Sequence, residues 1–424
     1  MSTRRTRRDF LCGSAAIASS TLLPMPAIAQ AAAKVVVIGG GFGGATVARA
    51  LKAAEPKIQV TLIESNATFT ACPFSNEVIA GMREIGAQQF GYDKVRAAGV
   101  NVVIGTATVV DQTGKSVRLA DGATLPYDRL VLSPGIDIRW GALPGYDEAA
   151  AAKMPHAWKA GEQTMLLRRQ LEAMEDGGLV VMSSPANPFR CPPGPYERAN
   201  LIAHYLKTKK PKSKLLVLDA KDQFSKQGLF QKAWKELYPN HLEWVSLSNG
   251  GKVVSVDAAT NTFTTDFGKH TAKVGNVIPP QKAGHIADLA GVSNNTGWCP
   301  IDPVTFESKQ VPGIHVIGDA TIAAPMPKSG FAAYSQAKVA AFAIVKLFAG
   351  EQPSPPRLLN TCYSLVGPDY GISVVNVYRT ANGALAEVEG SGGVSPADAS
   401  PDFRKSEAIY AEAWFRTITG EVWG

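Results

Sequence analysis

The feature that most constrains this chain is the stretch KVVVIGGGFGGATVARAL at residues 34–51. It reads as a buried strand, a glycine-rich turn and a helix, and Gly39, Gly41 and Gly44 fit the spacing G-x-G-x-x-G. The first glycine permits the tight bend, the second lets backbone approach a pyrophosphate, and the third packs the helix on the strand. The next predicted strand ends at Glu64, where a carboxylate can bind ribose hydroxyls. The sequence therefore predicts a dinucleotide-binding fold.

Two later segments indicate which dinucleotide is bound. YDRLVLSPG is an apolar strand ending at Gly135, and GIHVIGDA is another that ends at Gly318 and Asp319. This distant pair resembles the flavoproteins built from two dinucleotide-binding folds, in which a Gly-Asp pair binds the ribityl chain. The resemblance implies that the cofactor is FAD. A predicted helix follows, whose N-terminal dipole favours negative charge on the flavin; Lys328 either adds positive charge there or covers the helix surface.

A second strand–loop–helix segment, VVMSSPANPFRCPPGPYERANLIAHYL, covers residues 180–206. A second dinucleotide fold would keep its glycines here, but the loop holds five prolines, one cysteine and one glycine. Pro192, Pro193 and Pro195 have no amide hydrogen to offer a pyrophosphate. We therefore expect this fold to bind no NAD(P), and we expect Cys191 to provide a different function in the loop.

Composition and charge disfavour several classes of function. The chain has 424 residues, 45% hydrophobic and 19% charged, which is typical of a soluble globular protein with two or three domains. We expect no transmembrane segment, because no run reaches about 18 apolar residues. The net charge of +7 forms no basic stripe that would predict nucleic-acid binding. No metal site is predicted from the scattered histidines and cysteines, and any c-type haem must belong to a partner, since the chain has no C-x-x-C-H motif.

The first 29 residues are typical of an export signal. Arg7 and Arg8 precede an apolar stretch, and PAIAQ offers small residues for cleavage after Ala29. Paired arginines favour the twin-arginine route, which moves folded proteins and suits one that has bound its cofactor in the cytoplasm; an ordinary secretory signal is the alternative. We therefore expect the mature protein in the periplasm, where disulfides persist.

Several unusual phrases resemble one family. TACPFSNEVIAG, PHAWKAGEQT, RCPPGPYERA, GWCPID, PMPKSGFAAYSQAKVAA and NTCYSLVGPDYGISV are similar to the flavoprotein subunit of flavocytochrome c sulfide dehydrogenase. The resemblance extends over nearly all of residues 34–424. That family belongs to the same superfamily as the sulfide:quinone oxidoreductases. The resemblance implies covalently attached FAD and a redox-active disulfide beside the flavin.

The resemblance also assigns cysteine roles. Cys72 matches the flavin-linking cysteine, although Pro73 and Phe74 after it differ from the family's more usual residues. Cys191 and Cys362 match the redox disulfide, with Cys362 nearer the flavin ring. A purely structural disulfide between domains is the simpler alternative for this pair.

Two further residues keep more than one interpretation. Cys299, in GWCP, is interpreted as a buried structural thiol, but the sequence does not exclude its pairing with Cys191. Glu197 lies at the start of a predicted helix, where it can relay protons for the sulfur chemistry or complement the helix dipole. The resemblance places an equivalent glutamate near the disulfide.

These patterns predict an α/β protein with two dinucleotide-binding (Rossmann-like) domains of the FAD-dependent disulfide reductase type and a C-terminal α+β domain. The expected parts are a twin-arginine signal peptide (1–29), the first part of the FAD-binding domain (34–144), a second Rossmann-like domain without NAD-binding glycines (145–281), the second part of the FAD-binding domain (282–351), and a C-terminal domain that carries Cys362 and an interface (352–424).

By resemblance, we expect the flavoprotein subunit of a periplasmic sulfide dehydrogenase. Hydrosulfide would attack the Cys191–Cys362 disulfide, and electrons would pass to FAD and then singly to a haem on a cytochrome c partner, leaving sulfur or polysulfide. The alternatives are a sulfide:quinone oxidoreductase, an NAD(P)H-dependent flavin reductase, and an accessory flavoprotein of thiosulfate oxidation. The export signal disfavours the first alternative, and the proline-rich loop disfavours the second.

Overall fold

The computed structural model describes residues 32–424, so the predicted signal peptide lies outside the described residues. Within that range the short 3₁₀ helices are Ile85–Gln88, Leu247–Asn249 and Gly318–Ala320. The α-helices are α1 Phe42–Ala54, α2 Ser75–Ala80, α3 Asp93–Ala97, α4 Glu148–Ala151, α5 Glu162–Ala173, α6 Gly194–Lys209, α7 Gln227–Leu237, α8 Ile286–Leu289, α9 Gly330–Phe348 and α10 Pro401–Val422.

The strands of the described residues form parallel and antiparallel sheets. In chain order they are β1 Lys34–Ile38, β2 Gln59–Glu64, β3 Phe69–Thr70, β4 Gln89–Phe90, β5 Asn101–Ile104, β6 Ala107–Asp111, β7 Ser116–Leu119, β8 Thr124–Pro126, β9 Arg129–Leu132, β10 Ile136–Ile138, β11 Leu179–Ser184, β12 Lys214–Asp219, β13 Leu242–Val245, β14 Val253–Asp257, β15 Thr262–Thr265, β16 Gly268–Thr271, β17 Val274–Val277, β18 Gln281–Ala283, β19 Cys299–Pro300, β20 Ile314–Val316, β21 Thr321–Ile322, β22 Arg357–Gly367, β23 Tyr370–Ala381, β24 Ala384–Glu387 and β25 Gly393–Val394.

The first parallel sheet has the strand order β20-β9-β1-β2-β5. Its central strands are short apolar runs buried on both faces, as a parallel sheet covered by helices requires. β9 pairs with both β1 and β20, although β20 comes far later in the chain. This pairing brings the turns after β1, β9 and β20 to one edge of the sheet, so Gly39, Gly135 and Gly318 meet there.

The second parallel sheet has the order β13-β12-β11-β17. β11 lies in its interior, ends at Ser184, and leads through the proline-rich loop into α6. Small antiparallel sheets, β6-β7-β8 and β14-β15-β16, accompany the two parallel sheets. The two Rossmann-like units that the sequence predicts are therefore present.

The C-terminal part is built on the long antiparallel pair β22 and β23. Cys362 lies in the middle of β22, opposite Val374. α10 packs against this pair; Ser400 caps its N-terminus and Pro401 occupies its first turn. The predicted α/β class with a C-terminal α+β unit is confirmed.

One helix in the described residues, α9, is long and apolar enough to cross a membrane by length and composition alone. Its most apolar window is 44% buried, and its Ala337, Ala340 and Ile344 belong to the main hydrophobic core. Ser329 caps its N-terminus by accepting a hydrogen bond from the Ala332 amide. In this fold α9 is a core helix whose first turn faces the edge where the glycine turns meet.

Candidate functional site

A large cavity of about 790 Å³ lies at the carboxyl edge of the first sheet. That volume is within the range of small-molecule and cofactor sites, about 300–1,000 Å³. The predicted cofactor contacts that line it are Gly39, Gly41, Glu64, Cys72, Gly135, Gly318 and Asp319.

The glycine turn shapes one wall of this cavity. Gly39 has φ +98°, and a β-carbon there would lie 2.3 Å from the Ser133 carbonyl oxygen, so only glycine fits. A β-carbon at Gly44 would lie 1.7 Å from the Gly39 carbonyl oxygen, because α1 packs directly on the end of β1. Gly44 itself lines neither this cavity nor the smaller one described below; its place is the predicted helix-on-strand contact.

Two acidic side chains line the large cavity. Glu64 is partly buried, accepts a hydrogen bond from the Gly40 amide at 2.7 Å, and faces the cavity at the end of β2. Asp319 has a side chain that is only 12% exposed, and burial raises the pKa of its carboxyl. Its Oδ1 has no hydrogen-bond partner among residues 32–424, whereas its Oδ2 lies 3.9 Å from Nη1 of Arg190. A buried acceptor without a donor fits a hydroxyl-bearing ligand.

The residues around this cavity fit a flavin adenine dinucleotide. The turn before α1 can hold the pyrophosphate, Glu64 can accept from a ribose, and the unpartnered Asp319 oxygen can accept from the ribityl chain. Gly330 and Ala333, in the first turn of α9, line the same cavity, so the positive end of that helix dipole faces it.

Lys328, which the sequence places either near the flavin or on the helix surface, lies in the segment before α9. It lines neither cavity; its Nζ donates to the carbonyl oxygens of Asp319 at 2.8 Å and Thr321 at 2.6 Å. The ammonium sits 3.8 Å from the Trp298 ring centroid, and burial lowers its pKa to about 8. Its contacts join the Gly318–Ala320 turn to the segment before α9, because the side chain turns back onto backbone instead of toward the cavity.

A small cavity of about 110 Å³ adjoins the large one. Cys191, Cys362 and Glu197 line it, so the structure brings together all three predicted catalytic side chains. Cys72 lines both cavities, as do Pro73, Arg190 and Gly330. The predicted flavin-linking cysteine therefore stands at the junction between the cofactor cavity and the cysteine pair.

The proline-rich loop positions Cys191. This residue has φ 58°, which is rare for a non-glycine residue, and its amide donates to the Lys328 carbonyl at 2.8 Å. A β-carbon at Gly194 would lie 3.0 Å from the Cys191 Sγ, so the loop's one glycine leaves room for the sulfur. Pro193 and Pro195 start α6, where missing amide hydrogens cost nothing. Burial raises the pKa of the Cys191 thiol.

Cys362 approaches the same cavity from β22. Its Sγ lies 3.5 Å from Asn360 Nδ2, and burial raises the pKa of its thiol against the opposing effect of Lys226. All four cysteines in the described residues are thiols in this structure. Cys299 is fully buried, pairs with Thr321 between β19 and β21, and lines neither cavity. The structure thus places Cys362 and Cys191 at the same small cavity, whereas Cys299 lies in the hydrophobic core.

Glu197 is fixed by two hydrogen bonds in the first turn of α6. Its carboxyl accepts from the Leu365 amide at 2.9 Å and from Asn76 Nδ2 at 2.8 Å. Burial raises the pKa of the carboxyl, and these two hydrogen bonds partly oppose that rise. A carboxyl whose pKa is raised beside two thiols is suited to taking up and releasing protons.

Two arginines of this site were missed by the sequence analysis. Arg190 stands between the two cavities, where its guanidinium bonds the Trp158 carbonyl and faces Asp319. Arg198 is buried and donates to Asn76 Oδ1 at 3.0 Å and His156 O at 2.9 Å. In RCPPGPYERA, Arg190 directly precedes Cys191 and Arg198 directly follows Glu197, so their positions beside predicted site residues could have identified them.

The acid at the end of β12 in the second sheet is buried. Asp219 ends that strand, as Glu64 ends β2, but it is 0% exposed. Its carboxylate accepts from Tyr196 Oη at 2.7 Å, Lys221 Nζ at 2.6 Å and Trp244 Nε1 at 3.0 Å. Internal donors therefore occupy the acid that would otherwise face a ribose.

Comparison with known families matches three parts of the chain. Residues 164–279 match "Sulfide dehydrogenase (flavocytochrome c) flavoprotein chain, central". Residues 354–423 match "Flavocytochrome c sulphide dehydrogenase, flavin-binding". Residues 33–170 match "Pyridine nucleotide-disulphide oxidoreductase".

Individual proteins show the same similarity. The sulfide dehydrogenase flavoprotein chain of Chlorobaculum thiosulfatiphilum is 56% identical over 45 residues, which are 11% of this chain and 94% of that sequence. Mitochondrial sulfide:quinone oxidoreductase of Mus musculus is 23% identical over 303 residues, 68% of this chain; the match spans 65% of the mouse protein's length. The sulfide:quinone oxidoreductase structure from Aquifex aeolicus superposes with a TM-score of 0.73 at 17% identity, covering 92% of this chain and 91% of that one. The last likeness confirms the fold.

Proposed function

Because the chain belongs to the flavoprotein family of flavocytochrome c sulfide dehydrogenase, we propose that it oxidises hydrosulfide at a Cys191–Cys362 disulfide and passes the electrons through FAD to a cytochrome c. The observation that carries this proposal is the small cavity, which holds both sulfurs and Glu197 and adjoins the cofactor cavity at Cys72.

The proposed chemistry starts from the oxidised pair. Hydrosulfide attacks the Cys191 sulfur, the sulfur–sulfur bond breaks, and the products are a Cys191 persulfide and a Cys362 thiolate. A second hydrosulfide removes the outer sulfur as hydrogen disulfide anion and leaves a Cys191 thiol. Re-forming the Cys191–Cys362 bond then releases one proton and two electrons. The net change is two hydrosulfide ions to one hydrogen disulfide anion, one proton and two electrons.

FAD, when bound, accepts the electron pair and supplies the conversion to single-electron transfer. Cys72 stands at the junction of the cavities with its Sγ 3.8 Å from the Trp158 carbonyl oxygen, and we assign it the thioether to the flavin. Glu197 takes the proton released from the sulfur centre, since it is the one carboxyl lining the small cavity in the described residues.

The family and the sequence support the proposed acceptor and location. The family resemblance and the lack of a C-x-x-C-H motif support a haem on a separate cytochrome c subunit as the acceptor of the single electrons. The paired arginines of the leader support export to the periplasm. A sulfide:quinone activity is the second candidate, supported by the similarity to the mouse and Aquifex aeolicus proteins. An accessory role in thiosulfate oxidation is the third candidate.

The direct test is anaerobic reduction of the purified flavoprotein. Sulfide is expected to bleach the oxidised flavin spectrum, whereas NADH is not, since Asp219 is already bonded internally. Cys191→Ser and Cys362→Ser should each abolish bleaching by sulfide while dithionite still bleaches the flavin. Cys299→Ser is the matched control and should bleach like the wild type. Bleaching that survives in Cys191→Ser would rule out the disulfide mechanism.

A second measurement separates the acceptors. The sulfide-reduced protein is mixed with cytochrome c or with a soluble quinone, and the return of oxidised flavin is followed. Fast reoxidation by cytochrome c alone supports the proposed acceptor, and fast reoxidation by quinone alone supports the second candidate. Mass spectrometry of the intact chain and of Cys72→Ala tests the thioether, because the flavin mass should remain only with the wild type.

A further inference from the structure

Lys226 is a buried lysine next to the cysteine pair that the proposed chemistry has not used. Lys226 immediately precedes α7, and its side chain extends to β22. The residue is 7% exposed. Its Nζ donates to the Cys362 carbonyl oxygen at 2.9 Å, to Ser364 Oγ at 2.8 Å and to the Ile372 carbonyl oxygen at 3.4 Å. The ammonium is therefore held against the strand that carries Cys362.

Three features make this placement costly. The backbone of Lys226 has φ 60°, a left-handed conformation that side chains disfavour. The residue caps the N-terminus of α7, where the helix dipole repels a cation. All three acceptors of its Nζ are neutral oxygens, and no carboxylate of residues 32–424 is within ion-pair distance. A buried cation kept at such cost indicates a use for its charge.

Strand geometry puts the ammonium on the side of the Cys362 thiol. Side chains two residues apart in a strand point to the same face. Asn360, Cys362 and Ser364 are therefore on one face of β22, and Lys226 bonds the Ser364 hydroxyl on that face. Asn360 already contacts the Cys362 Sγ from the other side.

The charged and titratable groups around the ammonium agree with this placement. Burial lowers the pKa of Lys226 to about 8, and Cys362 is the largest opposing influence. Conversely, Lys226 is the first influence that lowers the pKa of the Cys362 thiol against burial. The other groups that interact with one member of this pair are Glu197, Cys191, Glu407 and Tyr378.

We propose that Lys226 is a positioning residue that stabilises the Cys362 sulfur as the thiolate leaving group when hydrosulfide opens the disulfide. The inference rests on the proposed function for its place in the reaction. In that step hydrosulfide bonds to Cys191, the Cys191–Cys362 bond breaks, and the electron pair of that bond stays on Cys362. Lys226 supplies a positive charge that stabilises this buried sulfur as an anion.

The test isolates the Cys362 thiol in the purified flavin-containing chain. In a Cys191→Ser background, Cys362 cannot form the disulfide, and its reaction with methyl methanethiosulfonate is followed by mass spectrometry of the Cys362 peptide across pH. Replacing Lys226 with Met should slow modification at neutral pH by at least about tenfold and move the midpoint of the pH profile upward by about one unit or more, as expected when a nearby opposite charge is lost. Lys226→Arg in the same background should keep most of the Cys362 modification rate measured with Lys226 present.

Lys221→Met is the matched control, because Lys221 is also buried but bonds Asp219 instead of β22. It should lower thermal stability and leave the Cys362 pH profile unchanged. An unchanged profile in Lys226→Met, or an equal shift in both variants, would overturn the proposal. This readout does not use sulfide, so a wild type that sulfide fails to bleach would overturn the proposed function and leave the Lys226 result standing.

Discussion

The turn between β1 and α1 and the turn between β11 and α6 occupy equivalent places, since each follows an interior strand of a parallel sheet and leads into a helix. In the first, glycines leave a cavity of about 790 Å³ and Glu64 faces it. In the second, prolines start the helix, Cys191 lines a cavity of about 110 Å³, and Asp219 is sealed by internal donors. The same strand–turn–helix arrangement therefore borders a large cavity when glycines fill the turn and places a cysteine at a small cavity when prolines do.

The largest expected effect comes from adding one methyl group to each turn by replacing a glycine with alanine. Gly44→Ala places a β-carbon 1.7 Å from the Gly39 carbonyl oxygen, so α1 must move and the chain should lose nearly all its flavin. Gly194→Ala meets the Cys191 Sγ at 3.0 Å and the Trp158 ring at 2.9 Å; it should keep the flavin and slow bleaching by sulfide roughly tenfold to a hundredfold. Flavin content and stopped-flow absorbance measure the two effects. Equal flavin loss in both variants would show that the two turns do not differ in their contribution to flavin binding.

The second prediction compares the two strand-end acids. Asp219→Asn leaves Lys221 buried without its counter-ion and should lower the free energy of unfolding by about 3–5 kcal/mol. Glu64→Gln should change stability little and weaken FAD binding by roughly tenfold, since one hydrogen bond to a charged acceptor is lost. Urea unfolding and FAD titration of the Cys72→Ala variant give the two values. A flavin defect in Asp219→Asn at a denaturant concentration where it is folded would contradict the assignment.

The third prediction is that His156, which is close to the second turn, makes the stability of the fold sensitive to acid. Burial and the nearby Arg198 lower the pKa of His156 from 6.5 to about 3, and its Nδ1 accepts from the Trp158 amide. The unfolded chain therefore binds a proton between these values while the folded chain does not, so stability is present above pH 6.5 and is lost as pH falls. His156→Gln should reduce the slope of unfolding free energy by about 1 kcal/mol per pH unit between pH 4 and 6. Parallel slopes in the two proteins would show that His156 is not the source.

The smallest expected effect is at Trp244. Trp244→Phe removes one of the three donors to Asp219 and keeps the ring's packing, so it should cost about 1 kcal/mol in unfolding free energy. FAD content and bleaching by sulfide should match the wild type, as measured in the same assays. A large loss of flavin in this variant would mean that the Asp219 cluster supports the cofactor cavity.

Much of the fold could be predicted from sequence because local patterns specify it. The spacing of Gly39, Gly41 and Gly44 indicates a turn in which the first and third positions accept only glycine, and the apolar runs before Gly135 and Gly318 indicate buried strands. Helix limits were less predictable, because the ends of a helix such as α10 depend on its Ser400 cap and on packing against β23.

The candidate site also has residues that could be predicted from the sequence and residues that could not. Family resemblance supplied Cys72, Cys191, Cys362 and Glu197, and the structure places all four at the small cavity. The sequence left two interpretations of Lys328 open, charge near the flavin or cover for the helix surface, and the structure shows its ammonium bonded to two backbone carbonyl oxygens. Lys226 lies in a segment, KDQFSKQGLF, with no pattern that distinguishes it from a surface lysine.

The sequence by itself determined the glycine turn, the strand-end acids and the proline-filled loop, because these features depend on backbone conformations and hydrogen-bond donors that belong to each residue. Only the tertiary structure decided that Cys191 and Cys362 share a cavity, that Asp219 is sealed while Glu64 is open, and that Lys226 reaches β22. Those outcomes depend on the packing of segments far apart in the chain, and side-chain direction at such contacts is set by the neighbours that the fold supplies.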